Sequence, residues 1–341
     1  MRVALGVAAV LAAIGAWAPA AAQEPASDSP GVSADEVQQA THGERRARRH
    51  ARDPRRKSPG AALLWSLLPG GGQFYLGETA AGAGYAAGTV AFTAAGSALA
   101  HRNKKIQDEG CGRMCNKRTD EFNTPEVVGE KIWTYAVFSA WRDAHAMNGD
   151  DLRALNIDDT PTWKLVTAPF QWDQLSDPWV LGAMLVGGGA AAISGAHADK
   201  RQRDISRVGI WGDDWNKNDG TAIYGVSSLA ISLGAGVSEE AVFRGLLQPI
   251  LEDAWGTGPG LLVTSGIFGA AHLVGQNGLQ PAAVLSAAGG GLYFGYLYDK
   301  DGHRLAAPIA AHFWYDFMIF AVGFIVDPDN NPLGVRVRFN F

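Results

Sequence analysis

The C-terminal half of the chain is largely apolar, and six ionisable side chains interrupt its apolar runs. They are Glu239, Glu240, Arg244, His272, His312 and Asp316. An ionisable group at membrane depth costs about 2.5–3.5 kcal/mol on insertion scales unless it faces protein or water and finds a partner. Carboxylates, two imidazoles and a cation are also sufficient to activate water and to stabilise an oxyanion. The pattern therefore indicates a hydrolytic site among apolar helices.

Four of these side chains form two pairs with helical spacing. Glu240 and Arg244 are four residues apart, and so are His312 and Asp316. Residues at positions i and i+4 lie on one face of a helix, about 6 Å apart along its axis, so that each pair can interact. The spacing predicts a carboxylate–guanidinium pair on one helix and an imidazole–carboxylate pair on another.

Phe268 and His272 repeat the spacing, with an aromatic ring in place of the first polar group. We therefore expect three helices to present side chains to one cavity. Structural explanations exist for each feature alone. Glu239 and Glu240 can form an acidic first turn that suits the helix dipole, His272 can be a hydrogen-bonded core histidine, and the last pair can be a structural hydrogen bond. Their occurrence together in one apolar block favours a shared site.

Five apolar runs have to position these side chains. They cover residues 179–196, 221–236, 260–274, 281–298 and 304–326, and residues 241–250 extend the second run beyond its charged positions. A helix needs about 20 residues to cross a hydrocarbon core of roughly 30 Å. None of these runs alternates as a barrel strand does. The pattern predicts an all-α fold, a polytopic bundle of transmembrane helices with a polar N-terminal extension.

Composition excludes two classes of protein. Apolar residues make up 47% of the 341 residues, which excludes a disordered chain. Lys and Arg number 29 against 34 Asp and Glu, for a net charge of −5, which argues against general nucleic-acid binding.

The N-terminus has the order of an export signal. A positive head, an apolar stretch and three alanines at 20–22 predict a signal peptide over residues 1–22. Residues 23–60 are predicted to be a disordered linker with eight Lys or Arg between 45 and 57, either a patch for anionic lipid headgroups or a solvated charge run. An export signal places this linker outside the cytoplasm, whereas the positive-inside rule keeps it inside. The sequence leaves both open.

Residues 61–105 are predicted to form a membrane hairpin. A Pro-Gly-Gly-Gly turn at 69–72 separates a short apolar run from residues 80–100, which are long enough to span. The turn is similar to a signature of small bacterial membrane hairpins. Gly82, Gly84, Gly88 and Gly96 suit close helix packing.

Residues 106–177 are a polar intervening region that contains an amphipathic helix around 127–147. This helix is expected either to pack on the protein or to lie at the membrane interface. Cys111 and Cys115 are the only cysteines, and either a small disulfide or two free thiols fits their spacing. Residues 327–341 are expected to be an extended tail.

Four motifs in order resemble one protein family. The chain has E-E-x-x-x-R at 239–244, F-x-x-x-H at 268–272, G-x-x-x-G-Y-x-Y at 291–298 and A-P-I-x-x-H-x-x-x-D at 307–316. Together they are similar to the CPBP intramembrane proteases, also called the Abi or CAAX-processing family, over about residues 178–326. The resemblance implies an intramembrane glutamate endopeptidase that needs no cofactor.

The family's residue roles carry over to matching positions. Glu239 would be the general base that activates water, with help from His272. His312 and Asp316 would bind the oxyanion of the tetrahedral intermediate. Glu240 and Arg244 would hold the site together, with Phe268 in support.

Asp316 departs from the family, because many members have Asn at this position. An ionised aspartate repels an oxyanion, so the resemblance alone does not explain it. We hypothesise that Asp316 is either protonated in its apolar surroundings or hydrogen-bonds His312 and orients it as a donor.

Two alternatives remain on sequence grounds. Glu239, His272 and His312 make the two-His, one-carboxylate set of catalytic zinc, although no H-E-x-x-H motif is present. Buried charged pairs also occur in transporters and in non-catalytic scaffold or immunity proteins.

The expected partners are the lipid bilayer and a membrane-embedded or lipid-modified peptide or protein substrate, without nucleic acid. We expect a multi-pass protein of the bacterial inner membrane. Cleavage of prenylated CAAX sequences is implied only by distant relatives.

Overall fold

The computed structural model describes residues 56–108, 124–196, 207–210, 213–275, 278–279 and 281–327. The predicted signal peptide, nearly all of the linker, both cysteines and nearly all of the C-terminal tail lie outside these residues. The helices are α1 (Pro59–Trp65), α2 (Gly71–Leu76), α3 (Thr79–Asp108), α4 (Thr124–Met147), α5 (Thr162–Thr167), α6 (Trp172–Leu175), α7 (Pro178–Gly195), α8 (Lys217–Val242), α9 (Gln248–Trp255), α10 (Thr257–Ala271), α11 (Pro281–Lys300) and α12 (Ala306–Val326).

The remaining elements are short. A 3₁₀ turn covers Ala168–Phe170, and a π-helical segment covers Phe243–Leu247. Strands β1 (Arg207–Ile210) and β2 (Asp213–Asn216) form one antiparallel pair, and β3 (Val274–Gly275) and β4 (Gly278–Leu279) form another. The sequence did not indicate these two hairpins, but the prediction of an all-α helical bundle is confirmed.

Three segments of the described chain are long and apolar enough to cross a membrane. They are Pro178–Gly195, Lys217–Trp255 and Ala306–Val326. The predicted runs at 80–100, 260–274 and 281–298 are helical but are not among these candidates. Helix α10 has 15 residues, or about 22 Å at 1.5 Å per residue, which is shorter than the hydrocarbon core. The other two helices contain several Gly, Ser and Tyr residues, which lower their mean hydropathy.

The longest segment, Lys217–Trp255, continues without interruption through its charged positions. The side chain of Asn216 caps its start by accepting a hydrogen bond from the Asp219 amide. The π segment Phe243–Leu247 lies where the charges occur, and such single π turns are frequent at functional sites. The sequence pattern contains nothing that distinguishes this π turn from an α-helical one.

Helices α1 and α2 form a tight hairpin that packs on α4. The turn needs glycine at Gly70, which has a φ of 74°, and a Cβ there would lie 2.1 Å from the Gly82 carbonyl oxygen. Gln73 at the start of α2 is fully buried and donates to the Ala136 carbonyl of α4 at 2.8 Å. The Pro-Gly turn therefore attaches the N-terminal hairpin to a central helix.

The predicted amphipathic helix is α4, and it packs between α3 and α8. Tyr135, Phe138 and Trp141 on its apolar face are buried. Helices α3 and α4 pack closely at Gly129, where a Cβ would lie 2.9 Å from the Thr93 hydroxyl oxygen. Gly84, which the sequence suggested for close packing, faces open space.

Helix α12 lies against α7, α8 and α11. Its start is fixed by Asp158, whose carboxylate accepts the Leu305 amide at 2.6 Å. Near its middle, the Trp314 indole donates to the Pro169 carbonyl at 2.8 Å. These bonds set the position of α12, which carries two of the predicted site residues.

Candidate active site

A fully buried ion pair marks the end of α8. Arg244 and Glu240 are both 0% exposed, and Arg244 Nη1 donates to Glu240 Oε1 at 3.0 Å. Arg244 Nη2 donates to the Gly291 carbonyl of α11 at 2.9 Å. The predicted pairing is confirmed in geometry, and the guanidinium also joins α8 to α11.

The imidazole of His312 lies between two carboxylates. Its Nδ1 donates to Glu240 Oε1 at 2.6 Å, so one carboxylate oxygen accepts from both α12 and Arg244. Its Nε2 lies 3.5 Å from Asp316 Oδ2, which is longer than a normal hydrogen bond. The predicted His312–Asp316 pair is thus present, and Glu240 is the stronger partner of His312.

Aromatic rings pack against these polar groups. The ring of Phe268 lies 4.8 Å from that of His272 and 6.0 Å from that of His312, and the Arg244 guanidinium carbon lies 4.5 Å above it. The ring of Phe294 stacks on His312 at 4.7 Å with an interplanar angle of 11°. Phe268 thus brings α8, α10 and α12 together, as the spacing predicts.

His272 follows the last turn of α10. Its Nδ1 contacts the Phe268 carbonyl oxygen at 2.8 Å. Because a carbonyl only accepts, Nδ1 carries the proton and Nε2 of the neutral ring remains able to accept one. The side chain is exposed at the edge of the site.

Glu239 is bound by a residue that the sequence pattern did not single out. Lys131 of α4 donates from Nζ to Glu239 Oε1 at 2.6 Å. Burial alone lowers the pKa of Lys131, but the carboxylates of Glu239 and Glu130 outweigh it and raise that pKa above its usual value. The signal in the sequence that could have pointed to Lys131 was its position beside the aromatic face of an amphipathic helix.

The segment that carries all the predicted site residues matches a known family. Residues 222–318 match the family model described as Rce1-like, type II CAAX prenyl endopeptidase Rce1-like. This part of the chain is similar to the Rce1-like family. The resemblance to CAAX-processing proteases is therefore confirmed. Comparison of the chain with curated proteins and with solved structures gives no match.

The Rce1-like segment covers less than a third of the chain. It begins within α8 and ends within α12, so that Glu239, His272 and Asp316 all lie inside it. Lys131 and the helices α1 to α7 lie outside it. The site as built therefore combines family residues with one lysine from another part of the chain.

A second polar cluster lies at the far end of the long helix. Oxygen and nitrogen atoms of Glu252, Asp299 and His303 lie within 4.8 Å of one another, and among the described residues this is the group whose geometry could hold a metal ion. Among the described residues, Glu239, His272 and His312 do not form such a group. Gln248 donates to both carboxylates, at 2.8 Å to Glu252 and 2.6 Å to Asp299.

This cluster gives a prediction about stability. Burial and the nearby Glu252 carboxylate raise the pKa of Asp299 to about 7, against an opposing effect of His303. An unfolded aspartate has a pKa of about 3.9, so the folded state holds the proton more tightly. The contribution of Asp299 to stability is therefore greatest below pH 4 and is lost as the pH rises to about 7.

We expect Asp299→Asn to flatten this pH dependence and to stabilise the protein at pH 8. A gain on the order of 1 kcal/mol is reasonable, a value reduced because the carboxyl is partly exposed to solvent. Thermal unfolding of the detergent-solubilised protein at pH 5 and pH 8 measures the effect. A variant that is less stable than wild type at pH 8 contradicts it.

Proposed function

We propose that this protein is an intramembrane endopeptidase that hydrolyses peptide bonds of membrane-associated substrates with water activated by Glu239. The observation that carries the proposal is the convergence of α8, α10 and α12 around the Phe268 ring, inside the segment that matches the Rce1-like family. Membrane location fits the three candidate spans. The family name supports peptidase chemistry, and the roles of the individual residues are those that the resemblance implies.

Glu239 would remove a proton from water as the water oxygen attacks the carbonyl carbon of the substrate. His272 lies at the edge of the site with Nε2 able to accept a proton, so it can assist Glu239 and deliver the proton to the leaving amine. The water oxygen thus forms the new C–O bond, the C–N bond breaks, and the proton from water ends on the released amine.

His312 would stabilise the oxyanion that forms on the carbonyl oxygen. With Nδ1 donating to Glu240, a second proton on Nε2 makes the ring a cationic donor whose charge two carboxylates balance. Of the two hypotheses for Asp316, the 3.5 Å contact supports orientation of His312. Arg244 would keep Glu240, and through it His312, in place.

Asp316→Asn tests this role. The amide is isosteric, can still contact His312 and cannot ionise, so we expect cleavage within about tenfold of wild type, since 1.4 kcal/mol corresponds to a factor of ten. The measurement is kcat/KM for the peptide probes described below. Complete loss of cleavage contradicts the orienting role and indicates that Asp316 acts as a base.

The description of the matched family suggests a class of substrate. We propose a prenylated or membrane-embedded peptide, because the site lies among apolar helices in a segment similar to CAAX prenyl endopeptidases. The test uses two internally quenched probes with the purified full-length protein in detergent micelles. One probe is a farnesylated CAAX peptide, and the other is an unprenylated transmembrane peptide.

Release of fluorescence from at least one probe, with mass spectrometry showing a single cut, is the expected result. No cleavage of either probe contradicts the peptidase proposal and favours a scaffold or transport role. We propose a metal-independent reaction because protein cations already bind the carboxylates of the site: Lys131 binds Glu239, and Arg244 binds Glu240. Loss of cleavage in phenanthroline, with recovery on adding zinc, contradicts that part.

A further inference from the structure

Lys131 contacts the proposed base from outside the family segment. Its Nζ lies 2.6 Å from Glu239 Oε1 and 3.6 Å from Glu130 Oε1. The side chain of Lys131 is 12% exposed and that of Glu239 is 16% exposed. An ion pair with so little exposure is screened weakly, and neither partner can lose the other without a large cost.

The stem of Lys131 lies in a space that α8 leaves open for it. At Gly234, a Cβ would lie 3.0 Å from Lys131 Cγ and 3.1 Å from Lys131 Cβ. Gly234 is about one turn and a half before Glu239 on the same helix. The backbone of α8 therefore fits the lysine closely along its path to the carboxylate.

Helix α4, which carries Lys131, is held in place by the N-terminal hairpin. Gln73 of α2 donates to the Ala136 carbonyl at 2.8 Å. The Trp133 indole donates to the Ser66 carbonyl, just after α1, at 2.8 Å. Both bonds hold α4 within five residues after Lys131, so the ammonium is carried by a fixed helix rather than a mobile loop.

We propose that Lys131 is a positioning residue that holds the Glu239 carboxylate ionised and in one orientation for catalysis. This inference rests on the proposed function of Glu239. The ammonium occupies Oε1 and leaves Oε2 to accept the proton of the attacking water. The helices of the N-terminal hairpin then hold α4 in place, and α4 carries the ammonium of Lys131 that neutralises the Glu239 carboxylate.

The physical reason is the cost of burying an isolated charge. A buried carboxylate without a nearby cation favours its protonated form, and a protonated carboxyl cannot accept a proton from water. Lys131 itself stays charged because Glu239 and Glu130 hold its pKa above the usual value despite burial. The other charged or ionisable groups that act on Glu239 are His272, His312 and Arg244.

The first experiment compares the pH dependence of kcat/KM for the two peptide probes. For Lys131→Met we expect at least a tenfold loss at pH 7 and an acid limb that moves up to about pH 8 or higher, because a base whose pKa lies one unit above the pH is only about one-tenth ionised. Activity then recovers toward alkaline pH. Lys131→Arg, which restores the charge, should recover most of the activity.

Lys164→Met is the matched control, because Lys164 is exposed and lies outside the site. It should leave the profile unchanged. A loss in Lys131→Met that is equal at every pH overturns the proposal, since a purely structural lysine gives that result. An increase in activity also overturns it, because the lysine would then restrain the base instead of supporting it.

The second experiment does not depend on activity. Thermal unfolding of Lys131→Met, Glu239→Gln and the double variant forms a double-mutant cycle. Coupling between the two changes is expected, and additive effects overturn the ion pair and the proposal with it. If wild type cleaves neither probe, the proposed function fails. A coupled cycle then shows that the contact is real and that its catalytic role is wrong.

Discussion

Replacing Glu239 with glutamine is expected to lower kcat/KM for peptide cleavage by about 10²–10⁴-fold, the usual contribution of a general base. The amide has nearly the same shape as the carboxylate. Its oxygen can still accept the hydrogen bond from Lys131, whose Nζ lies 2.6 Å from Glu239 Oε1 in the wild-type protein. It cannot take a proton from water. The loss should therefore appear in kcat, with KM for the probe nearly unchanged.

The matched control is Glu126→Gln, which removes an exposed glutamate from α4. It should cleave both probes at the wild-type rate. Circular dichroism and thermal unfolding establish that Glu239→Gln remains folded. If this variant is folded and cleaves as fast as wild type, Glu239 is not the base and the proposed mechanism is wrong.

The contacts between site residues on the same helix could be predicted from the sequence. Local spacing alone places Glu240 beside Arg244 and His312 beside Asp316, because a helix fixes the distance between positions i and i+4. The structure has these pairs at 3.0 Å and 3.5 Å. Such predictions need only the helical period, and the apolar runs supply it.

The partners across helices could not be predicted in the same way. Lys131 and Glu239 are 108 positions apart, and no period connects them. The same is true of the bond between His312 and Glu240, which are separated by 72 positions. The family resemblance brings His312 into the site, but it gives no information about Lys131, because the matched segment begins at residue 222.

The membrane prediction depends on length and hydropathy, and it was less exact. Helix α10 is only 15 residues long and still positions His272, because it packs on the end of the long segment and on α11. A sequence window measures how apolar a run is. It does not show which neighbouring helices a short one packs against.

Arg244 gives the second large effect. We expect Arg244→Met to lower the free energy of unfolding by about 3–5 kcal/mol, the usual cost of breaking one side of a buried ion pair. The methionine fills much of the volume, but Glu240 stays fully buried with its charge uncompensated by the guanidinium. The bond from Arg244 Nη2 to the Gly291 carbonyl is also lost, so α11 separates more easily from α8.

The comparison that isolates the charge is the double variant Glu240→Gln with Arg244→Met. Removing both charges eliminates the carboxylate that has lost its guanidinium partner, and neutral replacement of a buried pair is often nearly neutral or stabilising. We therefore expect the double variant to recover most of the stability that Arg244→Met alone loses, as measured by thermal unfolding in detergent. Because Glu240 Oε1 also accepts from His312, cleavage should stay impaired when the fold is restored. Recovery of activity together with stability would mean that Glu240 and Arg244 only support the fold.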